Sequence, residues 1–265
     1  MPPSHVFTDT EGGIIYSLSR DKILSTMLKI RAFRAIDDEI ACLGFMEGHI
    51  RVLADYGITS ISSNSSEWKD SASVYVVVAE KEDGTIVGGG RLHITDGIDI
   101  LPMEKAVGDQ DARLKDVLYS YPLGHTGELC GLWNARQIAG SGLSILLVRS
   151  LIAITNQIGL KSLFTFCSEY TIELGRRVGF QLESGVGDNG AFIYPGINYL
   201  GRVFRIPDIY TIETATEYDR TRIQELRIRP GQTCLEQGSK GEVQIDYDLL
   251  ISGTVEVNKS DALLN

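Results

Sequence analysis

Cysteine is scarce and scattered in this chain. The four residues, Cys42, Cys130, Cys167 and Cys234, lie far apart and form no C-x-x-C pair. That argues against a disulfide framework and reads as reduced, mostly buried thiols. Proline is also rare: 7 in 265 residues, with 43% hydrophobic and 23% charged residues, describes an ordinary globular protein. No apolar run is long enough to cross a bilayer, since 143–154 is short and interrupted by Arg149. The start, with Pro2, Pro3 and His5, lacks the apolar stretch of a signal peptide. A basic excess is missing too. The net charge of −10 excludes a non-specific nucleic-acid binder, although a local site can still attract an anion. These absences predict a soluble, cytoplasmic protein with neither nucleic acid nor membrane as partner.

The length admits one large domain, or a domain with an extension. Residues 27–35 alternate apolar and basic side chains, as a strand does. Asp37 is placed to cap a following helix, with Ile40, Leu43, Ile50 and Leu53 at helical spacing as its apolar face. Residues 60–73 read as a polar loop; its Asn64-Ser65-Ser66 sequon has no meaning in a cytosolic setting. Asp83-Gly84 joins two strand-like runs, 74–82 and 85–94, as a hairpin. Gly88-Gly89-Gly90, inside the second run, marks a bulge or a close backbone approach. Two short helices follow, at 101–107 and 112–118. A strand at 128–134, a long apolar helix at 143–158, a strand at 162–167 and a helix at 169–178 come next. The alternating segments 180–183 and 191–194 close that part, and 243–249 alternates as one further strand. The order predicts an α/β fold, a mixed sheet flanked by helices.

The most informative segment is Gln137-Ile138-Ala139-Gly140-Ser141-Gly142, between the strand at 128–134 and the apolar helix that opens at Leu143. Two glycines one residue apart let the backbone curl until several N–H groups face one concavity. The positive end of the helix dipole lies behind them, so the turn suits phosphate oxygens.

Three stretches resemble the GNAT superfamily of acyl-CoA-dependent N-acyltransferases, over about 27–194. Residues 137–142 match its Q/R-x-x-G-x-G/A pyrophosphate loop, and Glu128-Leu129-Cys130-Gly131-Leu132-Trp133-Asn134 resembles the strand before it. Val178-Gly179-Phe180 is similar to its hydrophobic-Gly-Phe helix ending. Gly90-Arg91-Leu92, Leu101-Pro102 and Glu128-Leu129 are further similar to the branch of acyl-homoserine-lactone and N-acyl amino acid synthases, although Cys130-Gly131 stands where the synthases usually have Ser-Arg. The resemblance implies a GNAT-like domain over 1–205, with 206–265 as a C-terminal extension packed on it. It implies acetyl-CoA or a longer acyl-CoA as co-substrate, no metal, a small-molecule amine as acceptor, and leaves a homodimer open. The backbone of Leu132, Trp133 and Asn134 would pair with the pantetheine arm. Arg136, Gln137, Ile138, Ala139, Gly140, Ser141, Gly142 and Leu143 would hold the diphosphate. The tyrosine that many members use as general acid, four residues before the Gly-Phe pair, is replaced by Gly175; Tyr170 lies more than a turn upstream.

Amine acylation by a thioester is chiefly a matter of positioning, plus a base for the ammonium proton and a donor for the developing oxyanion. Glu128 is the candidate base. Period-two alternation puts Glu128, Cys130, Leu132 and Asn134 on one face, and a half-buried carboxylate has the raised pKa the task needs. A strand-end glutamate paired with an arginine is the plain alternative. His93 and His125 are alternative bases, though a lone histidine by a strand more often serves structure. Arg91 reads as an exposed strand residue or an anchor for an acidic substrate group, and Cys130 as a core residue rather than a nucleophile. Two other functions remain open. One is a synthase-like enzyme drawing long acyl chains from an acidic carrier protein, which needs a basic patch such as Arg149, Arg176 and Arg177. The other is a non-catalytic acyl-CoA-binding module.

Overall fold

The computed structural model describes residues 27–55, 57, 66–196, 199–238 and 241–252, with a two-residue antiparallel pairing of Phe7–Thr8 and Ile14–Ile15 before them. Part of the loop at 60–73 and the Asn64 sequon lie outside the described residues.

Strand β1 (Met27–Arg34) leads into helix α1 (Glu39–Asp55), and strands β2 (Val74–Glu80) and β3 (Ile86–Ile94) form the hairpin. Gly84 turns it with φ +80°, while the Asp83 carboxylate accepts the Thr85 amide at 2.9 Å. Helices α2 (Pro102–Val107) and α3 (Arg113–Leu118) precede strand β4 (Thr126–Asn134). Helix α4 (Leu143–Ile154), strand β5 (Ser162–Ser168) and helix α5 (Ile172–Arg177) follow. Three more strands, β6 (Gln181–Leu182), β7 (Ala191–Ile193) and β8 (Leu200–Ile206), close this part. Helix α6 (Glu217–Ile228) then leads to a second hairpin of β9 (Gly231–Gly238) and β10 (Gly241–Asp248). The sheet runs β9-β10-β1-β2-β3-β4-β5-β8-β6, with β7 also on β8. Only β10/β1 and β4/β5 are parallel; the other neighbours are antiparallel.

The structure revises five expectations about elements. The α1 cap is Asp38, whose carboxylate accepts the Ala41 amide at 2.9 Å; Asp37 pairs with Arg34 instead. The face of α1 turned to the sheet is Ala41, Cys42, Phe45 and His49, whereas Ile40, Leu43 and Ile50 are exposed. Small residues decide this: a Cβ on Gly48 would overlap the indole of Trp133, so the helix approaches the sheet through its glycine side rather than its branched aliphatics. Strands β8 and β9 and helix α6 were not expected. The Thr216 hydroxyl caps α6 by accepting the Asp219 amide at 3.2 Å.

Helix α4 is buried on every side: eleven of its twelve residues are inaccessible. One side packs on the sheet, another on α6, and the β9–β10 hairpin continues the sheet past β1 to reach it. A helix apolar all round is stable only when covered in this way. Its one cation, Arg149, is matched by buried carboxylates. Asp219 accepts from it at 2.6 and 2.8 Å, and Glu236 of β9 lies 3.6 Å away. Arg177 shares Asp219, and Arg222 and Tyr247 share Glu236. The network ties α4, α5, α6 and the hairpin together.

Burial acts to raise the Asp219 pKa. The hydrogen bonds from Thr216 and Arg149 outweigh it and hold the carboxyl below the ordinary range. A depressed carboxylate stabilises the fold above its unfolded pKa near 3.8 and loses that contribution as pH falls through its lower folded value. Replacing Asp219 by Ala leaves Arg149 buried with one longer-range partner. Urea unfolding at pH 7 should show a loss of about 3–5 kcal/mol, and a loss under 1 kcal/mol would refute the network's structural role.

Candidate functional site

The site begins where β4 and β5 stop pairing. Their parallel ladder runs from Thr126↔Ser162 to Leu129↔Thr165, and the Thr165 hydroxyl ties to the Leu129 carbonyl at 2.9 Å as the last link. Beyond it β5 stays with β8, while β4 stays with β3. The two strands diverge and leave a cleft of about 320 Å³.

On the β3 side the ladder slips between Gly89 and Arg91, where β4 inserts an extra residue. Gly131 supplies the turn, at φ +61°. A side chain there would be strained in the left-handed region and would stand 3.0 Å from the Arg91 guanidinium. The bulge also overturns the expected alternation. Glu128 and Cys130 look toward α1 and α2, whereas Leu132 and Asn134 look toward α4, where Asn134 accepts from the Ser144 hydroxyl at 2.9 Å. Trp133 is swung into the α1 core, packed on Phe45 at 5.8 Å between ring centres and 4% exposed. Its side chain is therefore structural.

The cleft passes through the sheet. On the α1 side it is lined by His49, Met103, Glu128, Cys130 and Tyr194, and on the α4 side by Leu132, Val148, Leu174 and Phe180. Glu128 is 2% exposed, with Oε2 accepting the Met103 amide at 2.8 Å. Burial raises its pKa to about 8, against smaller opposing effects of the Met103 bond and Arg91. The other ionisable groups nearby are moved away from neutrality. Burial, with Arg91 assisting, lowers His49 to about 4; burial raises Cys130 to about 12; and burial, Arg91 and Lys105 take His93 well below its usual value. His93 sits opposite Glu128 in the ladder with a buried Nε2 that has no hydrogen-bond partner, while His125 is half-buried and does not line the cleft. Arg91, expected at the surface, is 1% exposed, with its guanidinium 4.3 Å from the Trp68 ring centre. The sequence offered no sign of His49 as a lining residue, because a histidine within a helix has no spacing that marks a cleft.

The 137–142 turn sits beyond the α4 end of β4, outside the residues that line the cleft. Arg136, Gln137, Ala139 and Gly140 are exposed; Ile138, Ser141 and Gly142 are half-buried; Leu143 is buried. Gly140 and Gly142 both take positive φ, +84° and +82°. Not every amide of the turn points outward: Ile138, Ala139 and Ser141 donate to the carbonyls of Ala135, Arg136 and Ile138. The α4 N-terminus supplies Gly142, Leu143 and Ser144, positions whose amides have no acceptor within a helix. The Ser141 hydroxyl is buried without a hydrogen-bond partner. Tyr170 is 97% exposed and does not line the cleft, whereas Gly175, Ser168 and Thr171 do. Arg149 cannot contribute to the basic patch that a carrier-protein donor would need, because it is buried against Asp219 and Glu236. Among the described residues no cluster could hold a metal ion, and no helix is long and apolar enough to cross a membrane.

No family model and no curated protein matches the sequence. Solved structures do. An N-acyl amino acid synthase from uncultured soil microbes is 11% identical, covering 73% of this chain and 97% of its own at a TM-score of 0.53. A CoA-dependent acyl-homoserine lactone synthase, solved with SAM and isopentyl-CoA, is 14% identical over 84% of this chain and 95% of its own, with a TM-score of 0.49. An acyl-CoA N-acyltransferase from Pseudomonas aeruginosa is 12% identical over 67% and 98%, with a TM-score of 0.48. The first of these establishes the fold: this chain has the GNAT acyltransferase architecture.

The raised pKa of Glu128 has a consequence for stability. Between its unfolded value near 4.5 and its folded value near 8, the native state holds a proton that the unfolded chain has released. Stability attributable to this group therefore falls as pH rises from about 5 to about 8. Glu128→Gln cannot titrate, so its urea midpoint should decline less than that of the wild type over this interval. Parallel declines would mean that the carboxyl is not protonated in the fold.

Proposed function

We propose that the protein is an N-acyltransferase that moves an acyl group from acyl-CoA to the amine of a small molecule, with Glu128 as general base. The observation that carries this reading is the pairing of a buried carboxyl of pKa about 8 with a cleft opened by the β4 bulge. A thioester supplies an activated acyl carbon, so the chain's own work is to position, to exclude water and to move a proton.

The chain fits such a donor. The edges of β4 and β5 freed by their divergence, near Leu132 on one side and Phe166 on the other, offer backbone to an extended amide-bearing arm. Gly142, Leu143 and Ser144 at the α4 N-terminus present amides to a diphosphate, with Gln137 and the exposed Arg136 beside them. The peptide left without a ladder partner at the bulge is the candidate oxyanion donor. Met103 holds one oxygen of Glu128, which leaves the other for the incoming ammonium. Ser168 and Thr171 bring hydroxyls to the side where a tyrosine would stand in many relatives, in place of Gly175.

A longer acyl group is favoured over acetyl by one feature: the cleft wall also includes the apolar Leu53, Phe166, Tyr194 and Leu200. Carrier-protein donors are disfavoured by the net charge of −10 and by the burial of Arg149.

Isothermal titration with acetyl-, hexanoyl- and decanoyl-CoA should show binding in the micromolar range, tightening with chain length. Absence of heat with every donor at millimolar concentration defeats the proposal. On an amine found by screening, Glu128→Gln should lower kcat at least tenfold, about 1.4 kcal/mol, and remove a rise of kcat/KM with pH centred near 8. An unaltered pH profile would assign the base elsewhere.

A further inference from the structure

The hairpin of β9 and β10 does more than lengthen the sheet. At its far end Gly238 is pressed against the 137–142 turn. A Cβ built on Gly238 would overlap the carbonyl oxygen of Ser141 and stand 2.6 Å from its carbon and 3.2 Å from its Cα. In the other direction, a Cβ on Gly142 would lie 3.4 Å from the Gly238 Cα and 3.7 Å from the Gln237 carbonyl oxygen. Backbone therefore meets backbone, without an intervening side chain. The contact is not incidental to a loose arm. Two residues earlier, Glu236 is 3% exposed and anchored by Arg222 at 2.7 Å and the Tyr247 hydroxyl at 3.1 Å, with Arg149 of α4 at 3.6 Å. The same buried charge cluster thus fixes both α4 and the strand that touches its leading turn.

From this we infer that Gly238 is a positioning residue for the donor site: the C-terminal hairpin braces the peptide between Ser141 and Gly142 from behind and so sets the direction of the amides that open α4. The inference rests on the proposed acyl-CoA reading for what those amides bind, but the bracing itself is a property of the fold. A side chain of any size at position 238 must push against Ser141 backbone, which has no flexible end to yield. The turn, exposed on its other side at Gln137, Ala139 and Gly140, is the part free to shift. Gly231, at the opposite end of β9, has open space around its Cα and makes the matched control.

The experiment compares wild type, Gly238→Ala and Gly231→Ala. Hydrogen–deuterium exchange without ligand should show amides 141–146 exchanging at least tenfold faster in Gly238→Ala and unchanged in Gly231→Ala. Titration with decanoyl-CoA should show the dissociation constant raised at least tenfold by the first and within twofold for the second. Where an acceptor amine is in hand, KM for the donor should rise while kcat stays within threefold. Unchanged exchange at 141–146 in Gly238→Ala overturns the inference, whatever the ligand result. If wild type itself binds no acyl-CoA while the exchange difference is found, the functional reading falls and the brace stands. Should Gly238→Ala fail to fold, wild type is exchanged with and without decanoyl-CoA. Protection spreading from 141–144 into 233–238 supports the brace and protection confined to the turn overturns it; where the ligand protects nothing, ligand-free exchange decides, 141–144 exchanging as fast as unstructured amides overturning the brace and slower exchange supporting it.

Discussion

The divergence of two parallel strands after four register pairs is the constraint from which the rest of the site follows. Parallel neighbours share evenly spaced hydrogen bonds and have no intrinsic reason to separate. Here each is held more firmly by its other partner: β4 by β3 through a bulge, β5 by β8 through six antiparallel pairs. The bulge at Gly131 twists β4 away and reverses which side chains face which layer. One inserted residue therefore opens the cleft, sends Trp133 into the α1 core, and leaves Leu132 and Asn134 facing α4. Gly131 and Gly48 serve the same end from two sides, the first by turning the strand and the second by admitting the displaced indole.

Charge is handled unevenly across the molecule, and the difference separates structure from site. Around α4 every buried ion has a close opposite: Arg149 with Asp219 and Glu236, Arg222 with Glu236. Such a cluster offsets its own desolvation and leaves little free energy for chemistry. Glu128 is the contrary case. It receives one backbone N–H, its electrostatic attraction to Arg91 is weaker than the penalty of burial, and its pKa moves up toward neutrality. A carboxyl in that condition exchanges a proton near pH 7 to 8, which a well-paired one cannot do.

Local chemistry was legible in the sequence where it repeats at short range. Asp83-Gly84, the alternation of β1, the glycines at 140 and 142 and the apolar run of α4 each specify a local shape, and the structure has them. The α1 face was misread because periodicity counts branched aliphatics, while the packing there is decided by the glycine opposite a large ring. The alternation of β4 was misread past Gly131 because a bulge breaks period two at a point that only the partner strand defines. Strand β8 and helix α6 carry mixed sequences, such as Leu200–Ile206 with two arginines, whose burial depends on layers contributed from elsewhere in the chain.

The path of the residues after β8 bears on which half of the cleft they influence. Among the described residues none beyond Phe204 lines the cleft. The α1 side of the cleft, with Glu128, His49 and Tyr194, is therefore walled without α6 or the second hairpin. Those later elements run instead along α4 and return to the sheet beside β1, meeting the front of α4 at Gln237 and Gly238. Under the proposed reading, the chain after β8 touches the half of the site that would take a donor's phosphates and lines none of the half where an amine would lose its proton.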